Sequence, residues 1–269
     1  MTSHSLIRAF KANKPAFGAW ITSTSFTHAR AIAKACPPDT MSWLMLDCEH
    51  GLIGLNPGAH ELISAITSVG GGGPSTLVRI PATGASTGVG WQIKYALDAG
   101  ARGVLVPMVG TVEKAREIAQ DARFAPLGRR GFGSSYTHDT WGISAMEYLK
   151  NANENIVVMV QIETKEGVEN MEGIIGVEGI DGIFIGPYDL SIALGYPPPS
   201  PDLHPEVEKI VQRILQVCHK AGKKCAMFCT SGTQASKRAK EGFDMINVTA
   251  DVDAMTRAIQ SAFDDATKD

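Results

Sequence analysis

The sequence contains no apolar run that approaches the roughly 20 residues needed by a membrane-spanning helix. It also lacks an excess of basic residues, because 25 Lys and Arg stand against 28 Asp and Glu, for a formal net charge of -3. A chain without a broad basic surface is not expected to bind the phosphate backbone of a nucleic acid. Neither a membrane nor a nucleic acid is therefore an expected partner, and small molecules fit this composition better.

Cysteine is scarce and irregularly spaced, which argues against the disulfide framework of small secreted domains. The five cysteines are Cys36, Cys48, Cys218, Cys225 and Cys229. Acidic residues are absent from the first 38 positions, as in organellar transit peptides, but the strand pattern at 17–21 argues against a cleaved leader there. Reduced thiols and the lack of an apolar secretory segment favour a cytoplasmic location.

Nucleotide-binding and Schiff-base motifs are also missing. The chain has neither a P-loop nor a dinucleotide fingerprint. An enzyme that works through a Schiff base needs a lysine that projects into its active site. Here Lys223 and Lys224 begin a predicted strand, at its wrong end, and Lys165 opens a predicted helix. The glycine-rich loop 126–133 offers backbone amides and cations, including Arg130, to an anionic ligand, although such loops are common.

What the chain does have is a regular alternation of short apolar runs and amphipathic stretches, typical of parallel strands joined by helices. Strands are predicted at 16–21, 42–49, 76–81, 103–109, 156–163, 182–186, 223–229 and 245–250. Helices are predicted at 5–12, 27–35, 55–68, 92–99, 112–123, 165–173, 205–221, 234–241 and 252–266, the first plugging the barrel bottom. Because no linker divides the chain and barrels of roughly 250 residues form one domain, we expect an α/β fold with a single (β/α)8 TIM barrel over 1–269.

Polar residues that could carry chemistry follow the ends of several predicted strands, where a barrel enzyme places its active site. A charged residue inside an apolar strand is costly unless it is paired or bound to a metal. The candidates therefore converge on one barrel mouth, and they are Asp47, Glu49, His50, Arg79, Gln161, Glu163, Gly186, Pro187, Tyr188 and Asp189.

Glu163 and Asp189 lie 26 positions apart, one βαβ unit, which would place two carboxylates on adjacent strand ends. Such a pair could share a divalent cation. Two carboxylates without a nearby His or Cys ligand favour a hard ion such as Mg²⁺ or Mn²⁺, with Co²⁺ and Zn²⁺ as alternatives. The competing interpretation is that both acids form ordinary ion pairs in their loops.

His50 follows Asp47 and Glu49 at one strand end, and a histidine oriented by a carboxylate is a common general base near neutral pH. The alternative is a structural histidine that starts the next loop. Arg79 stands inside an apolar strand, and its guanidinium fork suits a carboxylate or a developing enolate oxygen. An ion pair of Arg79 with Asp47 or Glu49 is the competing account.

Taken together, the motifs resemble the HpcH/HpaI aldolase and citrate lyase family of pyruvate class II aldolases. The matching motifs are FGAW at 17–20, LDCEHG at 46–51, VRIP at 78–81, GRRGFG at 128–133, QIET at 161–164 and GPYDLS at 186–191. They span nearly the whole chain and are specific as a set. Tyr188, at a position that is often small, and the unfamiliar segment 134–142 depart from the family pattern.

The resemblance implies a role for each matching position. Glu163 and Asp189 would be the metal ligands, Arg79 would contact the 2-oxo oxygen, and His50, oriented by Asp47, would act through water on the 4-hydroxyl proton. The substrate-binding set would be Gln161, Gly186, Pro187, Tyr188, Trp20, Glu49 and Arg130.

The implied activity is that of a metal-dependent carbon-carbon lyase, which cleaves a 4-hydroxy-2-oxo acid to pyruvate and an aldehyde through a stabilised pyruvate enolate. Oxaloacetate decarboxylation or a macrophomate-synthase-like reaction would use the same enolate. A coenzyme A thioester lyase fits less well, and a barrel that binds 2-oxo acids without turnover is the non-enzymatic alternative. The resemblance also implies a homo-oligomer, a hexamer built as a trimer of dimers, with the C-terminal helix 252–266 exchanged between subunits.

Overall fold

Eight parallel strands close into a barrel in which each strand pairs with its neighbours along the chain and the last pairs with the first. The structure is a computed structural model that describes residues 4–37, 39–70, 72–81 and 88–268. The strands are β1 Ala16–Ile21, β2 Trp43–Asp47, β3 Ser75–Arg79, β4 Gly103–Val106, β5 Val157–Ile162, β6 Gly182–Ile185, β7 Lys224–Met227 and β8 Met245–Ala250. The predicted (β/α)8 barrel and its eight strands are confirmed, with strand ends shifted by a few residues.

Helices surround the barrel, and the first of them closes its bottom. They are α1 Ser5–Lys11, α2 Phe26–Ala33, α3 His60–Thr67, α4 Gly90–Asp98, α5 Val112–Ala122, α6 Thr137–Trp141, α7 Ala145–Asn151, α8 Lys165–Glu169, α9 Met171–Ile175, α10 Pro187–Ala193, α11 Pro205–Lys220, α12 Gly232–Glu241 and α13 Asp251–Ala266, with short turns at Leu55–Ala59 and Ala152–Glu154. The single helix predicted at 165–173 is two helices that divide at Asn170. Among the described residues, no helix is both long enough and apolar enough to cross a membrane.

Two apolar layers hold the barrel together, because alternate strand residues point in opposite directions. Leu44 and Leu46 of β2 face the surrounding helices, whereas Met45 between them faces the barrel interior. Both layers are fully buried, as expected for parallel strands covered on both sides. The interior layer fills the barrel below the mouth, and its buried members are Leu6, Ala16, Trp20, Trp43, Met45, Leu77, Leu105, Val157, Met159, Phe184, Ala226 and Met245.

The N-terminal helix closes the bottom of the barrel, as predicted from the short helix at 5–12. Leu6 inserts into the interior layer, and its backbone N–H donates to the Ser75 hydroxyl over 3.1 Å. The His4 ring lies 2.8 Å from the same hydroxyl and 3.1 Å from the carbonyl oxygen of Arg102. Burial lowers the pKa of His4 to about 3, so the ring is neutral and hydrogen-bonded at this end.

Candidate active site

The C-terminal ends of the strands surround a cleft with a volume of about 370 Å³. Its lining residues come from six of the eight strands or from the segments that follow them, and from α13. They are Trp20, His50, Arg79, Gln161, Glu163, Phe184, Gly186, Pro187, Tyr188, Asp189, Phe228, Thr230 and Asp253. Gln161, Glu163 and Phe184 are buried at the floor, while Tyr188, Asp189 and Asp253 are exposed at the rim. The structure therefore brings most of the predicted site residues to one opening.

Arg79 is held in the cleft by two acids of the β2 end. Its Nε and Nη2 donate to the two oxygens of Asp47 over 2.9 and 2.6 Å, and Nη1 lies 3.3 Å from Glu49. This bidentate arrangement fixes the plane of the guanidinium. Three of the five N–H groups that an arginine carries thus face carboxylates, and two remain for other acceptors. The ion pair of Arg79 with Asp47 and Glu49, the competing account above, is present, and Arg79 also lines the cleft.

Trp20 of β1 supports the other side of Arg79. The guanidinium carbon lies 4.3 Å from the centre of the indole ring, which meets Phe184 and Phe228 edge to face at 5.7 and 5.8 Å. The stacked cation and the aromatic contacts keep both side chains in place. The indole Nε1 is buried without a hydrogen-bond partner in the described part of the chain, so the cleft holds an unused donor.

Glu163 is the buried acid of the cleft floor. One oxygen accepts from the backbone N–H of Met108 and the other from Nε2 of Gln161, both over 2.8 Å. Burial raises the pKa of Glu163 to about 7, the nearby charges of Asp189 and Glu49 contribute to the rise, and the Met108 hydrogen bond opposes it. A carboxylate in this setting is costly unless a cation offsets its charge.

Gly186, which follows β6, leaves open space in front of Glu163. A Cβ at residue 186 would lie 2.2 Å from Oε2 of Glu163, closer than real Cβ contacts allow, and 3.1 Å from Nε2 of Gln161, which is a tight contact. The chain then begins α10 at Pro187, a favoured first helical residue, which places Asp189 in the first turn. Gly186 thus keeps the face of the Glu163 carboxylate accessible from the Asp189 side.

These residues fit a divalent cation. The charge of Asp189 contributes to the raised pKa of Glu163, and a side chain at residue 186 would fill the space beside the Glu163 carboxylate. Oε1 of Gln161 is buried without a partner, so it is available to a ligand of this site. No group of three or more His, Cys, Asp or Glu residues suited to a metal occurs in the described ranges. The sequence-based prediction that Glu163 and Asp189 share a cation stays a prediction.

The orientation of His50 differs from the expectation. The Asp47 carboxylate accepts from the backbone N–H of His50 over 3.2 Å, whereas the imidazole Nε2 lies 3.6 Å from Glu49. Both Asp47 oxygens also bind Arg79, so Asp47 shapes the loop and Glu49 faces the ring. The prediction that Asp47 orients the imidazole is therefore wrong in this structure, although His50 lines the cleft with an exposed ring.

Two predicted substrate-binding residues, Glu49 and Arg130, are not among the lining residues of the cleft, and Arg130 lies away from it. The Arg130 side chain is buried, donates to Asp98 over 2.7 Å and to the Tyr148 hydroxyl over 2.9 Å, and packs on Phe124. A buried guanidinium needs such a partner, and α4 supplies it. The prediction is corrected accordingly: Arg130 joins the loop at 126–133 to α4 and does not line the cleft.

Four lining residues were not among the sequence candidates, namely Phe184, Phe228, Thr230 and Asp253. Phe228 and Thr230 follow β7, so the rule that chemistry sits beyond strand ends could have found them. From the sequence alone, Phe184 would be assigned to the core as part of an apolar strand. Asp253 lies in the first turn of α13, and only the docking of that helix brings it to the cleft.

Comparison with known proteins agrees with the fold. The family model described as HpcH/HpaI aldolase/citrate lyase matches residues 18–258. A 2-keto-3-deoxy-L-rhamnonate aldolase of Salmonella dublin is 35% identical over 245 residues, covering 91% of this chain and 86% of the relative. A solved HpcH/HpaI family structure from Burkholderia cenocepacia J2315 has a TM-score of 0.85 at 29% identity, covering 98% of both chains.

A second solved structure, the HpcH/HpaI aldolase from Desulfitobacterium hafniense DCB-2, has a TM-score of 0.82 at 26% identity and covers 98% of this chain and 96% of its own. The likeness therefore extends over almost the whole barrel. The chain belongs to the HpcH/HpaI aldolase/citrate lyase family and is a carbon-carbon lyase.

Proposed function

We propose that this enzyme is a metal-dependent aldolase that cleaves a 4-hydroxy-2-oxo acid into pyruvate and an aldehyde. The observation that supports the proposal most is the buried carboxylate of Glu163, which faces the space left by Gly186 beside Asp189. The Salmonella dublin relative is named for a reaction on a 2-keto acid, which agrees with this substrate class.

Glu163 and Asp189 are the residues that would hold the cation, and oxygen ligands favour Mg²⁺ or Mn²⁺, with Co²⁺ and Zn²⁺ as alternatives. When bound, such an ion supplies a Lewis acid to the 2-oxo and carboxylate oxygens of the substrate. The Gln161 amide, which donates to Glu163, orients that carboxylate. The cleft-edge backbone from Gly186 to Asp189, including Pro187 and Tyr188, is proposed to border the substrate carboxylate.

Arg79 is proposed to stabilise the negative charge that develops on the 2-oxo oxygen as the C3–C4 bond breaks. The ion pairs with Asp47 and Glu49 hold its guanidinium in place before the reaction, and Trp20 packs against it. A cation fixed where charge develops lowers the barrier without reorganisation during the step. Arg79 would thereby supply, within the cleft, the positive charge that stabilises the enolate.

His50 is proposed to take the proton of the 4-hydroxyl, through a water molecule. Its ring is exposed at the cleft, and the imidazole Nε2 lies 3.6 Å from Glu49. Burial raises the pKa of Glu49, and the charges of Arg79 and His50 oppose that rise. His50 and Glu49 are thus proposed to act together, with Asp47 holding the loop that carries both.

A homo-oligomer is also proposed, in agreement with the hexamer that the family resemblance implies. Helix α13 has Asp251 as its only buried residue, and it exposes an apolar stripe of Val252, Met255, Ile259 and Phe263. A stripe at helical spacing normally packs against another surface. A second copy of the chain, with α13 exchanged between subunits, would cover it, and the molar mass from light scattering tests this.

The direct test is pyruvate release from 4-hydroxy-2-oxo acids, measured with and without EDTA. We expect activity that EDTA removes and Mg²⁺ or Mn²⁺ restores, and that Glu163→Ala abolishes. Full activity in EDTA or in Glu163→Ala would refute the metal site. Turnover of oxaloacetate alone would point to a decarboxylase, and binding of pyruvate or oxalate without any product would point to a barrel without catalysis.

A further inference from the structure

The segment that follows β4 contains a backbone conformation that the proposed chemistry does not yet use. Met108 has a φ of 57°, which lies in the left-handed region. Residues with a Cβ are disfavoured there, whereas glycine adopts this region without a steric cost. In the described ranges the other non-glycine residue with a positive φ is Asn13, a residue type that tolerates it. A residue such as Met108 keeps this conformation only where the surrounding structure holds it, and such residues cluster at functional sites.

The left-handed turn at Met108 directs two successive backbone N–H groups towards β5. The N–H of Met108 donates to Oε1 of Glu163 over 2.8 Å, and the N–H of Val109 donates to the carbonyl oxygen of Gln161 over 3.2 Å. Successive N–H groups of an extended strand point in opposite directions, so a strand that continued through residue 108 could not make both bonds. Pro107 has no N–H, which makes Met108 the first residue beyond β4 that can donate.

The neighbouring residues hold this turn, and the Met108 side chain does not. Val109 is buried, and the Gly110 carbonyl accepts from Nδ2 of Asn170, at the junction of α8 and α9, over 2.8 Å. The Met108 side chain is 44% exposed, so apolar burial does not explain the conformation of residue 108. The backbone of Met108, and not its side chain, is therefore the part that serves the cleft.

The bond from Met108 completes the orientation of the Glu163 carboxylate. Each carboxylate oxygen accepts one hydrogen bond, Oε1 from Met108 and Oε2 from Gln161. Rotation of the carboxylate would break these bonds. Because each oxygen of an ionised carboxylate has a further lone pair, both can still bind a cation on the side that Gly186 leaves open. Hydrogen bonds to a ligating carboxylate orient it and strengthen metal binding.

We infer that the left-handed backbone of Met108 is a positioning element, which holds the Glu163 carboxylate in the orientation that the proposed cation requires. This inference rests on the proposed function. Met108 acts through Glu163 and touches neither the cation nor the substrate. The identity of residue 108 should therefore affect cation binding through its backbone preference alone.

The test compares Met108→Ile with Met108→Leu, because the two introduced side chains are isomers that differ in branching at Cβ. A β-branched side chain resists the left-handed region more strongly than an unbranched one. We expect the Mn²⁺ dissociation constant to rise about 10-fold in Met108→Ile. It should stay within about twofold of the wild-type value in Met108→Leu and in Met108→Gly, which both accept the turn. The free Mn²⁺ signal in electron paramagnetic resonance measures binding without any substrate.

Met146 provides the matched control, because it is 71% exposed and lies in the regular helix α7. Met146→Ile and Met146→Leu should bind Mn²⁺ equally well. A wild-type protein that binds no Mn²⁺ would refute the proposed cation site itself.

With normal binding by the wild type, three results would each overturn the role of Met108. The first is equal Mn²⁺ affinity in Met108→Ile and Met108→Leu. The second is a loss of affinity in Met108→Gly, since the side chain would then be the part that matters. The third is a Met108→Ile protein that unfolds at a lower temperature than wild type but binds Mn²⁺ as tightly, since the turn would then serve only the fold.

Discussion

The two ends of the barrel bury polar groups in opposite ways. At the bottom, the neutral His4 ring, the Ser75 hydroxyl and the backbone of α1 bind one another, and Leu6 fills the space above them. At the mouth, Glu163 is buried with a pKa raised to about 7, and Oε1 of Gln161 has no partner in the described ranges. The polar groups at the bottom of the barrel bind one another, whereas those at the mouth remain available to a ligand.

This difference indicates what each end contributes. Buried polar groups whose hydrogen bonds are all made stabilise a fold. A buried charge that lacks an oppositely charged partner destabilises the fold until a ligand binds. Changes at the bottom should therefore alter stability and leave catalysis intact. Changes at the mouth should alter catalysis, and some of them should stabilise the ligand-free protein.

The largest expected effect comes from Glu163→Gln, which keeps the size of the side chain and removes its charge. Activity should fall roughly 10³-fold, since one of the two proposed cation ligands is lost. The metal-free protein at pH 8 should gain about 1–3 kcal/mol in its free energy of unfolding, because the wild-type carboxylate is charged there against its raised pKa. Steady-state kinetics and urea unfolding in EDTA measure the two effects.

Glu169→Gln is the control, because Glu169 is an exposed acid on α8. It should change neither quantity appreciably. A Glu163→Gln protein that stays active would contradict the role of Glu163 as a cation ligand. A Glu163→Gln protein that is less stable than wild type without metal would contradict the view that the buried charge of Glu163 destabilises the metal-free protein.

Exchanging arginine for lysine should separate the two ends. Arg79→Lys loses the bidentate bond to Asp47, and kcat should fall about 10²- to 10³-fold. Arg123, near the bottom, donates to the Gly179 carbonyl and to Asp181. Arg123→Lys should lower the free energy of unfolding by about 1–3 kcal/mol and leave kcat within about twofold. Equal losses of kcat in the two variants would show that the mouth and the bottom of the barrel do not differ in their contribution to catalysis.

A third change tests only α1, the helix that closes the bottom of the barrel. Leu6 is fully buried in the barrel interior, so Leu6→Ala should cost about 2–5 kcal/mol in the free energy of unfolding. The exposed Leu127 provides the control, and Leu127→Ala should change the free energy by less than about 0.5 kcal/mol. Denaturant unfolding measures both, and kcat at 25 °C should match wild type. A Leu6→Ala protein with normal stability would show that α1 does not close the barrel.

The smallest effect is a pair of opposite pH slopes in the metal-free protein. His4 stays neutral when folded but takes up a proton near pH 6.5 when unfolded, so its contribution to stability is lost as pH falls from 6.5 towards 3. Glu163 keeps its proton to about pH 7 when folded but releases it near 4.5 when unfolded, so stability falls as pH rises through that window.

Single variants should separate the two slopes. With Glu163→Gln, urea unfolding in EDTA should show stability rising with pH between 4.5 and 6.5, by at most about 1.4 kcal/mol per pH unit. With His4→Asn, the slope over the same window should have the opposite sign. Slopes of the same sign in both variants would refute the assignment of the two titrations to the two ends.

The sequence was informative where the local pattern decides the structure. Short apolar runs that alternate with amphipathic stretches located all eight strands, and the strand ends placed Arg79, Glu163 and Asp189 at one opening. The helices at 137–151 were not predicted, although Ser144 and Glu147 form a capping box that marks a helix start.

The errors arose where the partner of a side chain is distant in the chain. Arg130 was assigned to the substrate because nothing near it suggested Asp98, which lies 32 residues earlier and pairs with it under α7. His50 was assigned to Asp47 although Arg79 occupies both Asp47 oxygens. Asp253 was overlooked because helix docking, and not periodicity, sets its position. Competition among partners in three dimensions is not encoded in spacing.

The missing side chain at residue 186 limits how this cleft could be redesigned. Even alanine there would press on Oε2 of Glu163, so libraries that vary this position would mostly sample proteins with a displaced acid. The exposed rim residues Tyr188 and Asp253 tolerate variation in size and charge, because solvent adjoins them. Efforts to accept new aldehydes should therefore leave the floor untouched and diversify the rim.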